Sequence, residues 1–152
     1  MSMRHREETR HRFPHRREVR FQVEQLAEAL RQKEPDVLFA CLLGSTQDGV
    51  VTAYGDVDLA VYLRPEKKSD WPTISRAIAT AEGAVGNAVE VDLEVLNRAE
   101  PIFRHRALQG KILFVRPEAE DAFVEFYTRT CREHEDYSWR LARWKRYRAE
   151  VA

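Results

Sequence analysis

The sequence predicts a single α/β domain, strictly α+β: a mixed, twisted sheet of about four strands flanked by helices. Three observations predict it. The chain has 152 residues, enough for one domain with a real core and too few for two ordinary ones. Val37–Leu43 is a continuous apolar run of strand length between turn residues, the pattern of a strand buried on both faces. Periodic segments follow in the order helix, strand, strand, helix, strand, helix, strand, helix, which sets helices against one mixed sheet.

Residues 1–17 are polar, rich in Arg and His, and contain Pro14. They read as a mobile basic arm, a solvated tail ahead of a folded domain over 18–152. An arm that touches RNA or an acidic partner is the other reading. It holds no Tyr or Trp for base stacking, so direct nucleic-acid binding is not expected. From Arg17 to Lys33, Val19, Val23, Leu26, Ala27 and Leu30 recur at helical spacing, and Pro35 ends the segment. The strand Val37–Leu43 is broken by Gly44-Ser45, and a loop of Gly and small polar residues runs to Gly55. Asp56–Leu63 is the second strand. Asp70 caps a helix from Trp71, with Pro72 in its first turn and Ile74, Ala77, Ile78, Ala81 and Val85 on one face. Gly83 and Gly86 close it. Val89–Leu96 alternates apolar with acidic residues as a third strand. Asn97 is expected to cap a short helix to about Gln109, ended by Gly110, and Lys111–Val115 is a short fourth strand. Beyond Pro117, Phe123, Phe126, Tyr127, Thr130, His134, Tyr137, Leu141 and Trp144 lie close to one face of a long amphipathic helix, or of two with a break.

Charge excludes some classes of function. Acids and bases balance at 25 each, so no global attraction to nucleic acid or to an anionic membrane follows. The two cysteines, Cys41 and Cys131, have no CxxC or Cys/His neighbourhood. They read as reduced thiols of a cytoplasmic protein rather than as zinc ligands. No apolar run approaches the roughly 20 residues that span a bilayer, and the basic N-terminus lacks the apolar core of a signal peptide.

The segment from Leu43 to Leu59 carries the chemistry. Asp56 and Asp58 stand two apart in a strand, so they point to the same face. Adjacent carboxylates repel, and a divalent cation between them removes the repulsion. Mg²⁺ is held by one or two carboxylates together with phosphates and water. Such a pair suits in-line phosphoryl transfer. An exposed strand start with two solvated acids is the bland alternative. Three features weigh against it: Val57, Leu59, Val61 and Leu63 make the strand central, Gly44-Ser45 ends another buried strand, and the third strand supplies a further acid, Asp92. Glu90 and Glu94 share the face of Asp92, but Val91 and Leu93 bracket Asp92 at the strand's centre. Gly44 permits close backbone approach, and Ser45 offers a hydroxyl and an amide to an anion. His105 and His134 have no partner at ligand spacing and read as helix-face residues. Trp71, Trp139 and Trp144 read as packing residues, the latter two also as interface candidates.

Gly44-Ser45, ten intervening residues and Asp56-Val57-Asp58 resemble the signature of the polymerase-beta-like nucleotidyltransferases. The resemblance is greater to the minimal nucleotidyltransferases (MNT) that pair with HEPN proteins in toxin–antitoxin modules, and it runs from about Val19 to Tyr137. It implies the nucleotidyltransferase fold. It implies that Asp56, Asp58 and Asp92 bind Mg²⁺ or Mn²⁺, that Asp92 helps to deprotonate the acceptor hydroxyl, and that Gly44 and Ser45 hold the triphosphate of ATP or another nucleoside triphosphate. The chain departs from the family where many relatives carry an Ala-Arg-Gly or similar triplet. Thr46-Gln47-Asp48-Gly49 stands there instead, with an acid about where a base is common. Gly55 replaces a frequent Ser.

Three functions follow from the resemblance. The first is transfer of AMP, or another NMP, to a hydroxyl of a partner, a tyrosine of a HEPN toxin, with this chain as antitoxin. The second is a catalytically weak module that neutralises a HEPN partner by binding, with Asp48 as its mark. The third is a small-molecule transferase of the antibiotic-modifying type, for which the chain lacks a second domain to build an acceptor pocket.

Overall fold

The computed structural model describes residues 18–52, 55–86 and 89–151; the predicted arm at 1–17 lies outside them. The apolar run forms β2 (Val37–Leu43), with all seven residues buried. It is central because both its faces are covered and both its edges are paired. β4 (Asp56–Leu63) lies antiparallel on one side and β6 (Lys111–Val115) antiparallel on the other. β5 (Glu90–Val95) adds to β4 in parallel, giving the order β5-β4-β2-β6. The parallel pair requires a crossover, which the helix between β4 and β5 supplies.

Alternation within the strands sorts side chains into two cores. Val57, Leu59, Val61 and Leu63 of β4 join Val37, Ala40 and Leu42 on the first face. There α1 (Val23–Lys33) buries Val23, Leu26 and Leu30, and α2 (Trp71–Val85) buries Ile74, Ala77, Ala81 and Val85. On the second face Phe39, Cys41, Leu43 and Ala60 meet Leu96, Ala107 and Ala119. The Phe39 ring stacks on Tyr62 at 4.5 Å and takes the edge of Phe123 at 5.1 Å. This face is covered by α3 (Pro101–Gln109) and by the start of α4 (Glu120–Val151). The predicted α+β class and mixed sheet are therefore observed.

Several boundaries differ from the expectation. The helix expected from Arg17 begins at Val23, and Glu18–Arg20 is instead a strand, β1, paired antiparallel with β3 (Val50–Thr52). Val19 faces Val51 across this ribbon, which is why an apolar residue that fits the helical spacing is spent on a strand. Asn97 does not cap α3. Its side-chain oxygen accepts from the Leu63 amide at 2.8 Å, and its Nδ2 donates to the Leu63 carbonyl at 2.8 Å. Those bonds extend the end of β4, and α3 starts later, at Pro101. The C-terminal segment is one helix of 32 residues. Trp71, Trp139 and Trp144 do not pack: they are 68%, 63% and 53% exposed.

Arg116 ties the two layers together. Its Nε donates to the Val37 carbonyl at 2.7 Å, and its Nη2 donates to the carbonyls of Arg31 and Glu34 at 2.8 and 2.9 Å. The end of α1 thus has a cation where its unpaired carbonyls gather. No helix among the described residues is long and apolar enough to cross a membrane.

Candidate active site

The strand register assembles the acids. In β4 the apolar residues Val57 and Leu59 enter the first core, so Asp56 and Asp58 project on the second face. That face is dry further along, at Ala60, and exposed at its start, where both aspartates lie in solvent. In β5 Val91 and Val95 are buried on the first face, and Glu90, Asp92 and Glu94 are exposed on the second. The parallel register sets Asp56 beside Glu90 and Asp58 beside Asp92. Neighbouring strands are about 4.8 Å apart, so Asp58 and Asp92 start from adjacent backbone positions on one face. Asp56 is two residues along on that same face. Glu94 is beside Ala60, one step further toward the covered part of the sheet.

On its other side Asp58 pairs with Leu43, the last residue of β2. The chain then turns through a 3₁₀ turn, Gly44–Thr46. Gly44 has φ +72°, a conformation that L side chains rarely adopt, and a Cβ there would lie 3.2 Å from Oδ2 of Asp58. The turn backs directly onto the Asp58 carboxylate. Ser45 sits in the middle of this turn; its side chain lies outside the described structure.

The departure Thr46-Gln47-Asp48-Gly49 has a structural reading. Thr46 is buried and donates its hydroxyl to the Leu43 carbonyl at 3.3 Å. Gly49 has φ +83°, and a Cβ there would lie 2.4 Å from the Phe21 carbonyl oxygen. Its own carbonyl accepts from the Phe21 amide at 2.9 Å, and its amide donates to Thr46 at 3.0 Å. The loop is pinned at one end to Leu43 of β2 and at the other to Phe21, next to β1, leaving Asp48 exposed. Sequence reasoning missed the β1–β3 ribbon, and with it the reason why Gly49 is glycine.

Among the described residues no side chain forms a hydrogen bond or ion pair with Asp56 or Asp92. Nor are three His, Cys, Asp or Glu side chains gathered there closely enough to hold a metal ion unaided. The chemistry of the donor set fits Mg²⁺ or Mn²⁺ all the same: hard carboxylate oxygens, exposed, on one face. Mg²⁺ keeps waters and takes phosphate oxygens to complete its shell, so rotation of exposed side chains onto an ion is what such a site needs. His105 and His134 are elsewhere, stacked on one another at 3.7 Å where α3 meets α4.

The profile of the family described as polymerase beta, nucleotidyltransferase, matches residues 24–119. Solved structures share the fold. A chain of a toxin–antitoxin crystallised with AMP-PNP gives a TM-score of 0.59 at 19% identity, covering 86% of this chain and 98% of that one. A chain of the toxin–antitoxin MntA–HepT gives 0.54 at 18% identity, covering 85% and 95%. A chain of the tri-AMPylated Shewanella oneidensis HEPN toxin in complex with MNT antitoxin gives 0.54 at 18% identity, covering 85% and 94%. Identities this low carry the fold alone. Among curated proteins none matches the sequence.

Proposed function

This chain belongs to the polymerase-beta nucleotidyltransferase family, and from that premise we propose that it is an MNT antitoxin of the cytosol that moves AMP from ATP to a tyrosine of a HEPN toxin. The observation that carries the reading is the parallel register of Asp58 with Asp92, with Asp56 on the same exposed face and the Gly44 turn against Asp58. The neighbours add the chemistry: one was crystallised with AMP-PNP and another holds an AMPylated HEPN toxin.

Asp56, Asp58 and Asp92 are the residues that would hold Mg²⁺ or Mn²⁺. When bound, the ions neutralise charge on the triphosphate and on the attacking and leaving oxygens. Gly44 and Ser45 orient the triphosphate through backbone amides. Asp92 accepts the proton of the acceptor hydroxyl as that oxygen bonds to the α-phosphorus. The bond from that phosphorus to pyrophosphate breaks, and pyrophosphate leaves.

The test is to incubate chain and HEPN protein with ATP and Mg²⁺ and weigh the HEPN protein intact. Wild type adds AMP masses. Asp58→Asn adds none, and Asp92→Asn binds nucleotide but transfers at a rate lower by about a hundredfold or more. Glu90→Gln and Glu94→Gln stay close to wild type. Loss in Glu90→Gln with none in Asp92→Asn moves the third acid to Glu90, the neighbour of Asp56. The exposed Asp48, a negative charge near the phosphates, favours a second reading in which the fold neutralises its partner by binding alone. A tight complex with no added mass selects it. Neither complex nor mass leaves a small-molecule acceptor.

A further inference from the structure

The apolar face of α4 does not stop where the body of the protein stops. Thr130, His134, Tyr137, Leu141, Trp144, Arg148 and Val151 follow one another at alternating spacings of four and three, the seam of a helix that packs against other helices. The first part of this seam is used within the chain. Phe123 and Phe126 pack on the second core, Thr130 is fully buried, and His134 stacks on His105. From residue 135 to residue 151 every residue is exposed, although the seam continues. Tyr137, Leu141, Trp144, Tyr147 and Val151 are 44%, 37%, 53%, 63% and 64% exposed.

Charge identifies the occupant. Between Tyr137 and Ala149 there are five cations, Arg140, Arg143, Lys145, Arg146 and Arg148, and no acid. Glu135, Asp136 and Glu150 flank this stretch, and two copies pairing along the seam would bring Arg140 and Arg148 together with the same two cations of the other helix, so a second copy is a poor partner. At 100° per residue the seam covers an arc of about 100°; Arg148 is part of it and Arg140 stands just outside its edge. A lipid surface would have to bury the Arg148 guanidinium among acyl chains and hold Arg140 at their edge, which is costly. A protein groove can pair them with carboxylates. Tyr137 and Trp144 offer rings to bases, but Leu141 and Val151, which alternate with them in the seam, have no apolar surface to bury on a nucleic acid.

We propose that the exposed half of α4 is a docking helix that lies in an apolar groove between helices of a partner protein, with acidic residues on the groove and its rim. The identity of the partner as the HEPN protein rests on the function proposed above; the docking seam itself does not require that AMP be transferred.

The test is the affinity of the full chain for that HEPN protein by titration calorimetry. Leu141→Ala and Trp144→Ala each weaken binding by about tenfold or more, the usual loss at a buried anchor. Arg140→Glu with Arg148→Glu weakens it further as salt falls. Trp139→Ala, on the opposite side of the helix, leaves it unchanged. All of these positions are exposed, so the variants keep the wild-type melting temperature. If AMP transfer occurs but the seam variants bind as wild type, the docking seam is wrong and the transfer reading stands. If the seam variants lose the complex and no AMP is transferred, the seam stands and the transfer reading falls. No complex with wild type overturns both. A concentration-dependent dimer of the chain lost in Leu141→Ala overturns the seam as assigned. So does binding of the chain to phosphatidylserine vesicles or to single-stranded RNA that depends on Trp144 while the HEPN complex does not.

Discussion

Gly44 shows how one residue fits a backbone turn to a neighbouring carboxylate. A strand buried on both faces ends there, the chain bends with φ +72°, and the missing Cβ leaves room for the Asp58 carboxylate. The turn was legible in the sequence: Gly-Ser after an apolar run marks a tight turn, and only the Asp-x-Asp that follows gives it a place in the proposed site. The role of Asn97 was not legible. An Asn before a helical segment reads as a cap, and only the tertiary position of Leu63 gives its amide two backbone partners. Cys41 was legible in kind: burial pushes its thiol up to about 12, as suits an inert core side chain. At Gly44 the expected outcome of Gly44→Ala is a loss of about 1–2 kcal/mol in urea unfolding, from the left-handed backbone, together with loss of the thermal shift by ATP and Mg²⁺. Gly83→Ala is the matched control. A Cβ at that helical glycine meets nothing within 4 Å, so it stabilises by about 0.5–1 kcal/mol. Unaltered nucleotide response in Gly44→Ala would detach the turn from the site.

At the scale of elements, legibility followed the length of the pattern. β2 declares itself by an unbroken apolar run and β4 and β5 by alternation, whereas β1 and β3 have three residues each and no internal period to read. Their pairing joins residues 30 to 34 apart in sequence, which local propensity does not encode. The start of α2 was readable from chemistry rather than period. Asp70 accepts from the Thr73 amide at 3.2 Å and from its hydroxyl at 2.5 Å. The hydrogen bonds from Thr73 hold the Asp70 carboxyl below its ordinary value, against a smaller opposing effect of desolvation. Since the folded value is the lower one, this stabilisation is fully present above the unfolded value of about 3.9. It is lost as pH falls through the folded value. Asp70→Ala should melt lower at pH 7, where the cap is missing. Asp70→Asn keeps a capping oxygen and should lose less stability than wild type between pH 5 and 2. Parallel pH profiles for wild type and Asp70→Asn would show that the cap does not titrate.

Over the whole molecule, the sheet keeps its two faces for different work. The first is closed by α1 and α2; the second is closed at its middle by α3 and α4 and left open at its start, where the acids are. Balanced charge over the chain hides this asymmetry, so composition alone does not point to the polyanion site proposed here. The paired aspartates are what motivates the proposal, because two carboxylates on one face of a central strand make sense when a cation joins them. The open face also means that nucleotide should bind the folded chain and not the unfolded one, which links occupancy to stability. At a hundredfold excess over its dissociation constant, ATP with Mg²⁺ should add about 2.7 kcal/mol, or about 5–10 °C in melting temperature for a domain of this size. ATP with EDTA should give little of that shift. Asp56→Asn with Asp58→Asn should fold, as both positions are exposed, and should show no shift with Mg²⁺ present. An equal shift in the double variant would remove these two residues from the site while leaving the fold and the family unchanged, and would direct attention to Asp92 and Glu90 as the remaining acids of the face.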